Sequence, residues 1–130
     1  MRKVEINLRR VPGEYAVHRL APDAAVPEAA WSAPFVSVSR SADELSIVTS
    51  AGVHIDAQRT EGPWLAYRVA GAIDFSAVGI MAALTAPMAE AGLGILGIST
   101  FDTDYILVHA DAGTAAEITW REAGIAIVRE

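Results

Sequence analysis

The sequence contains no cysteine, which removes disulfides, thiol nucleophiles and thiolate metal sites together and fits a reducing, cytoplasmic setting. It also lacks any apolar run near the ~20 residues that span a bilayer. Its basic cluster of Arg2, Lys3, Arg9 and Arg10 flanks an alternating segment, not the apolar centre of a secretion signal. Positive charge is scarce elsewhere: a formal net charge of -6 and a pI near 5.0 leave no basic surface to displace counterions from a phosphate backbone. These absences predict a soluble cytoplasmic chain with no nucleic-acid and no membrane partner.

What is present is enough for one compact domain or two very small ones sharing a core, since 130 residues bury roughly two-thirds of their unfolded surface. Val4, Ile6 and Leu8 alternate with polar neighbours, and Pro12-Gly13 follows, so Val4 to Val11 and Tyr15 to Leu20 read as a hairpin. A proline-rich segment with a short helical possibility at Glu28 to Trp31 leads to a second hairpin, Phe35 to Arg40 with Leu45 to Thr49. Ala51 to Pro63 reads as a polar bridge between halves, and Trp64 to Val69 as a strand.

The stretch from Gly71 to Val108 is the most informative. Met81, Leu84, Met88 and Ala91 share one helical face, Gly92 stands where a helix ends, and Ile95 to Ile98 run into a turn cluster, Ser99 to Asp104, before the strand Tyr105 to Val108. Pro87 within the helix either kinks it or frees the Ala83 carbonyl. Asp111 is the expected cap of a last helix ending near Glu122, with Ala112, Ala116, Trp120 and Ala123 on its buried face, Gly124 after it and a strand from Ile125 to Val128. Trp31, Trp64 and Trp120 are expected in the core or an interface.

Residues 38 to 48 align in character with residues 98 to 108 at a constant offset of sixty. The second half then reads strand, helix, strand, strand, helix, strand, the split βαβ order, and the first half is a shortened copy. The expected fold is therefore α+β: two ferredoxin-like βαββαβ modules in tandem, an abbreviated one at 1–62 and a complete one at 63–130, with antiparallel sheets and helices on one face.

Helix start and acidic turn converge on one polar spot. Free amides at a helix N-terminus attract a carboxylate, and Gly79, or the turn residues Ser76 to Val78, let the backbone approach it. Asp104, and with it Asp74 or Asp102, supplies the anionic partner an ammonium wants. The same residues suit plainer roles, Asp74 and Ser76 as helix caps, Asp102 and Asp104 as turn formers.

Other chemistries fit less well. Gly92 to Gly97 matches GxGxxG but follows a helix and enters a strand, the reverse of a dinucleotide site. Asp102, Asp104 and His109 have poor metal-ligand spacing, and Ser99, His109 and Asp104 lack the context of a hydrolytic triad. No catalytic residue, metal or cofactor is expected, and the chain is not expected to be an enzyme.

At GxIDFSxxGIMAAL, APMAEAG and ISTFDTDYILV the sequence resembles the ACT domains of aspartokinase regulatory regions, and more closely small bacterial tandem-ACT proteins related to cytosolic arginine sensors. The resemblance implies ACT-type modules that pair side by side and hold an amino acid at their interface, here in a homodimer. Residue by residue, Gly79, Ile80 and Met81 match the backbone cradle at the helix start. Thr100 and Phe101 match the end of the following strand, Asp104 the acidic turn residue, and Ala83 and Leu84 positions on the facing module's helix. Ala77 departs from the pattern, standing where the arginine-binding half carries a carboxylate. The implied function is a non-enzymatic, amino-acid-binding regulatory sensor; the alternative is an interaction module that keeps the fold without the ligand.

Overall fold

Two segments far apart in sequence supply one sheet. In a computed structural model that describes residues 6–70 and 78–128, the chain divides into two compact units, one of Met1–Val11 with Leu65–Glu130 and one of Pro12–Trp64.

The first unit contains β1 (Asn7–Arg10), the second half of β5 (Arg59–Val69), α1 (Ile80–Glu90), β6 (Ile95–Ser99), β7 (Asp104–His109), α2 (Gly113–Glu122) and β8 (Ala126–Val128). From β5 onward this is the βαββαβ order the sequence predicts, and the fold is α+β. The sheet runs β8-β1-β5-β7-β6, with β1 antiparallel to β5 (Leu8 opposite Val69) and parallel to β8 (Leu8 opposite Ile127). The expected hairpin of β1 with the strand at Tyr15 is therefore absent, because β1 spends both its edges on β5 and β8.

Period-two spacing puts Leu65, Tyr67 and Val69 of β5, and Ile106 and Val108 of β7, on one face with Leu8. Both helices cover that face. Helix α1 contributes Ile80, Leu84 and Met88 at four-residue intervals, and α2 contributes Ala116 and Trp120. Ala91 and Ala123, expected on the buried faces, are exposed. Trp120 stacks edge-on against Tyr67 with ring centroids 5.0 Å apart, and its indole N–H donates to the Leu84 carbonyl at 2.9 Å. Helix α1 continues through Pro87 to Glu90.

Both helices stop as their glycines predict. Gly92 at φ 74° donates to the Ala89 carbonyl and Leu93 to the Met88 carbonyl; Gly124 at φ 88° and Ile125 repeat the pattern on Arg121 and Trp120. The start of α2 differs from expectation. Asp111 lies in a 3₁₀ turn, Ala110–Ala112, and α2 begins at Gly113 with no side-chain cap. A Cβ on Gly113 would lie 2.5 Å from Leu65 Cδ1, so a side chain at this helix start would require the Leu65 methyl to move aside.

The second unit holds β2 (Tyr15–Leu20), a 3₁₀ turn (Glu28–Ser32), β3 (Ser37–Arg40), β4 (Leu45–Ser50) and the first half of β5, all antiparallel in the order β3-β4-β2-β5. The expected second hairpin is present as β3 and β4. Strand β5 begins at Arg59, earlier than the polar character of residues 51–63 predicts, because Arg59 to Glu61 pair with Arg19 to Val17. Leu20, Ala30, Leu45, Ile47 and Ile55 form the core, and Thr49 pins the 3₁₀ turn by donating to the Ala30 carbonyl at 2.5 Å. Among the described residues this unit has no α-helix, which is what its abbreviation amounts to. Trp64 and Trp120 are buried, but Trp31 is 54% exposed.

Candidate functional site

The candidate site lies at the end of the first unit where β5 stops, α1 starts and β6 turns into β7. Three contacts bring these pieces together. Thr103 is buried in the β6–β7 turn and donates its hydroxyl to the Val69 carbonyl at 3.0 Å, tying the turn to the end of β5. The Met81 sulfur lies 3.6 Å from where a Cβ on Gly97 would sit, so the first turn of α1 rests on β6 over a residue without a side chain. Gly97 faces Ile106 and Ser99 faces Asp104 in the β6–β7 ladder, which carries the contact one step on to the turn.

Gly79 is the N-cap of α1 at φ 83°, in the left-handed region where glycine costs nothing. Its carbonyl accepts from the Ala83 amide at 2.9 Å, and among the described residues no side chain caps this end of the helix. The helix dipole makes the first-turn amides attractive to an anion. Val78 just before them is 86% exposed, Ile80 is buried in the core and Met81 is half-buried.

The turn is built from its own hydroxyls. The Thr100 amide donates to the Thr103 carbonyl at 2.8 Å, and the Thr100 hydroxyl sits 3.0 Å from the same oxygen. Phe101 stands at the tip, 81% exposed. Asp104 is half-buried, and its Oδ1 accepts the Ser99 hydroxyl at 2.6 Å. Of the expected site residues, Val78, Gly79, Ile80, Met81, Thr100, Phe101 and Asp104 therefore belong to two neighbouring segments at one end of the unit. Asp74, Ser76 and the departing Ala77 lie outside the described residues.

The two positions assigned to a facing module differ from each other. Ala83 is exposed, whereas the Leu84 side chain is entirely buried in its own unit's core and its carbonyl already accepts from Trp120. Sequence reasoning took Ser99 and Thr103 only as turn formers and did not place them in the site, where they orient the aspartate and anchor the turn. Their signal was available as hydroxyls flanking Asp104 in a turn too short to waste them.

The rival chemistries fail on distance. His109 ends β7 five residues after Asp104, which at roughly 3.3 Å per residue puts about 16 Å between them. Neither a hydrolytic triad with Ser99 nor a metal cluster with Asp102 assembles across that gap.

Residues 59–118 match the family model described as the ACT domain. The chain is an ACT-domain protein. A second family model, described only as an N-terminal domain, matches residues 13–52. No curated protein matches.

Among solved structures, this ACT-domain protein is similar to a protein from Agobacterium tumefaciens at 31% identity and TM-score 0.90, with 98% of this chain and 96% of that chain covered. A Vibrio cholerae protein of unknown function, described as a possible transport protein, matches at 19% identity and TM-score 0.70, covering 92% and 90%. Aspartate kinase of Clostridium acetobutylicum, described as an allosteric enzyme, matches at 11% identity and TM-score 0.61 over 91% of this chain and 34% of that one. The last two are likenesses of fold. An ACT domain is in general a regulatory, ligand-binding module. No helix among the described residues is long and apolar enough to cross a membrane.

Proposed function

We propose that this ACT-domain protein is a cytoplasmic, non-enzymatic sensor that binds a free amino acid at the α1 start and the β6–β7 turn. The observation that carries this reading is the meeting, at one end of one unit, of a helix start opened by Gly79 with the half-buried carboxylate of Asp104. The α-carboxylate of the ligand takes the first-turn amides. Its ammonium takes Asp104 through a charge-assisted hydrogen bond. A second copy of the chain, presenting the exposed Ala83 side of α1, completes the enclosure in a homodimer, and ligand binding stabilises that pair by mass action. The module division at residues 62 and 63 and the parts of Asp74 and Ser76 belong to the same proposal.

Calorimetric titration of the intact chain against the twenty amino acids tests it. Binding of at least one, weakened on the order of 10- to 100-fold in Asp104→Asn, is the expected result, because that change removes a charged hydrogen bond worth about 1.5–3 kcal/mol while keeping the shape. Absence of heat with every amino acid at millimolar concentration defeats the sensor reading.

One observation favours the alternative, an interaction module without a ligand. Asp104 already has a partner in Ser99, and a carboxylate that only closes a turn would look the same. In that case Asp104→Asn changes stability and leaves dimerisation and partner binding indifferent to amino acids.

A further inference from the structure

Resting on the amino-acid-binding reading above, we propose that the site selects neutral amino acids with apolar side chains, of the leucine, methionine and phenylalanine kind, over basic ones. Among the described residues the two most exposed large hydrophobic side chains are Val78 and Phe101, at 86% and 81%. Single exposed apolar residues need no explanation. These two, however, stand on the two segments that make the site, one a residue before the Gly79 cap and the other at the tip of the turn that carries Asp104. A ligand side chain rising between helix start and turn would remove apolar surface of both from water.

The charges argue in the same direction. Asp104 offers one oxygen to Ser99 and keeps the other for an ammonium, and it is the half-buried carboxylate of the two segments. A guanidinium or second ammonium on the ligand would need another carboxylate out of water. Among the described residues of these segments the remaining acid is Asp102, which is exposed at the turn tip, where an ion pair contributes little against solvent and salt. The described residues thus offer one half-buried carboxylate per ligand, with the exposed apolar surface of Val78 and Phe101 on the same two segments.

The test is calorimetry on the intact chain with leucine, methionine, phenylalanine, glycine, arginine and lysine, repeated on Phe101→Ala and Val78→Ser, with circular dichroism to verify folding and light scattering to follow the dimer. Both side chains are exposed, so both variants fold. The expected result is affinity for the apolar ligands at least tenfold above that for glycine, arginine or lysine. Phe101→Ala lowers that advantage about tenfold, weakening the apolar ligands more than glycine. Tighter binding of arginine or lysine overturns the selectivity and leaves the sensor reading standing. So does equal weakening of all ligands by Phe101→Ala. Dissociation of the dimer by Phe101→Ala with selectivity intact also overturns it, since a second copy, and not the ligand, then covers the ring. Heat from none of the six, nor from any other amino acid, defeats the parent reading instead.

Discussion

Glu117 is the residue whose environment departs furthest from what its type predicts. It is buried on α2, accepts the Tyr67 hydroxyl at 2.6 Å through Oε2 and meets the Arg121 guanidinium through Oε1 at 3.3 Å. A carboxylate so placed depends on its partners, because a buried charge that loses one carries the desolvation penalty uncompensated. Tyr67→Phe is therefore expected to lower stability by about 1–3 kcal/mol in urea denaturation with the fold retained. Glu117→Gln, which keeps an acceptor for Tyr67, is expected to cost less. The periodicity of α2 hid this residue, since a glutamate inside an amphipathic pattern reads as the polar face.

His18 gives the second residue-scale prediction. It is 4% exposed on β2, its Nδ1 lies 2.9 Å from the Thr60 hydroxyl and its Nε2 is buried without a hydrogen-bond partner. Its strand neighbours are Ile47 and Thr60, while Arg19 beside it is exposed and paired with Glu44, and Glu28, His54, Asp56, Arg59 and Glu61 of the surrounding segments are exposed. Burial pushes the imidazole below its ordinary value of 6.5. The unfolded chain then binds a proton at a pH where the folded chain does not, so the stability His18 contributes is complete above that ordinary value and is lost as pH falls below it, down to the folded value. The loss is at most about 1.4 kcal/mol per pH unit in that window. Denaturation midpoints of the wild type and His18→Leu between pH 7 and pH 4.5 check it: the difference between the two is expected to change with pH in that direction, and parallel curves would show that the burial does not matter.

At the scale of elements, the helices and the second hairpin were legible because their signals are local. Helix stops at Gly92 and Gly124, the three- and four-residue spacing of Met81, Leu84 and Met88, and the turn formers at 99–104 each act within one turn of chain. Register was less legible. Arg40 and Leu45 close one hairpin and Ser99 and Asp104 the other, so the two superimpose at an offset of 59 residues, one less than the offset of sixty read from residue character. A slip of one flips every side chain to the other face, and chemical similarity alone does not detect it in short strands with apolar residues on both sides. Two glycines of this region separate backbone need from space. Gly92 sits at φ 74°, so Gly92→Ala is expected to cost about 1 kcal/mol. A Cβ on Gly97 would meet the Met81 thioether and the Ile106 Cδ1 methyl, all at ordinary contact distance, and has no φ constraint, so Gly97→Ala is expected to be neutral or stabilising by up to about 1 kcal/mol. Thermal melts of the two variants check the pair.

At the scale of the molecule, pairing across the sheet decides which strands lie together, and order along the chain does not record it. The proposed division at residues 62 and 63 follows order along the chain, while β1 lies between β5 and β8, and Leu8, wholly buried, sits in the core with Tyr67, Leu84 and Trp120. Nothing in an eight-residue alternating segment records which edge it will join, since pairing partners are chosen by the whole sheet and not by the strand. The consequence is measurable. A fragment of residues 63–130 lacks β1, so the backbone edges of β5 and β8 lose their partner and the core loses Leu8 and Ile6, a deletion far larger than the roughly 2–5 kcal/mol that truncating one core leucine costs. That fragment is expected to lack cooperative unfolding and near-ultraviolet dichroism. Adding residues 1–11 back through a flexible linker after Glu130, where β1 can return beside β8, is expected to restore both. Cooperative folding of 63–130 by itself would mean that β1 is an accessory to this unit and that the boundary read from sequence order is the physical one.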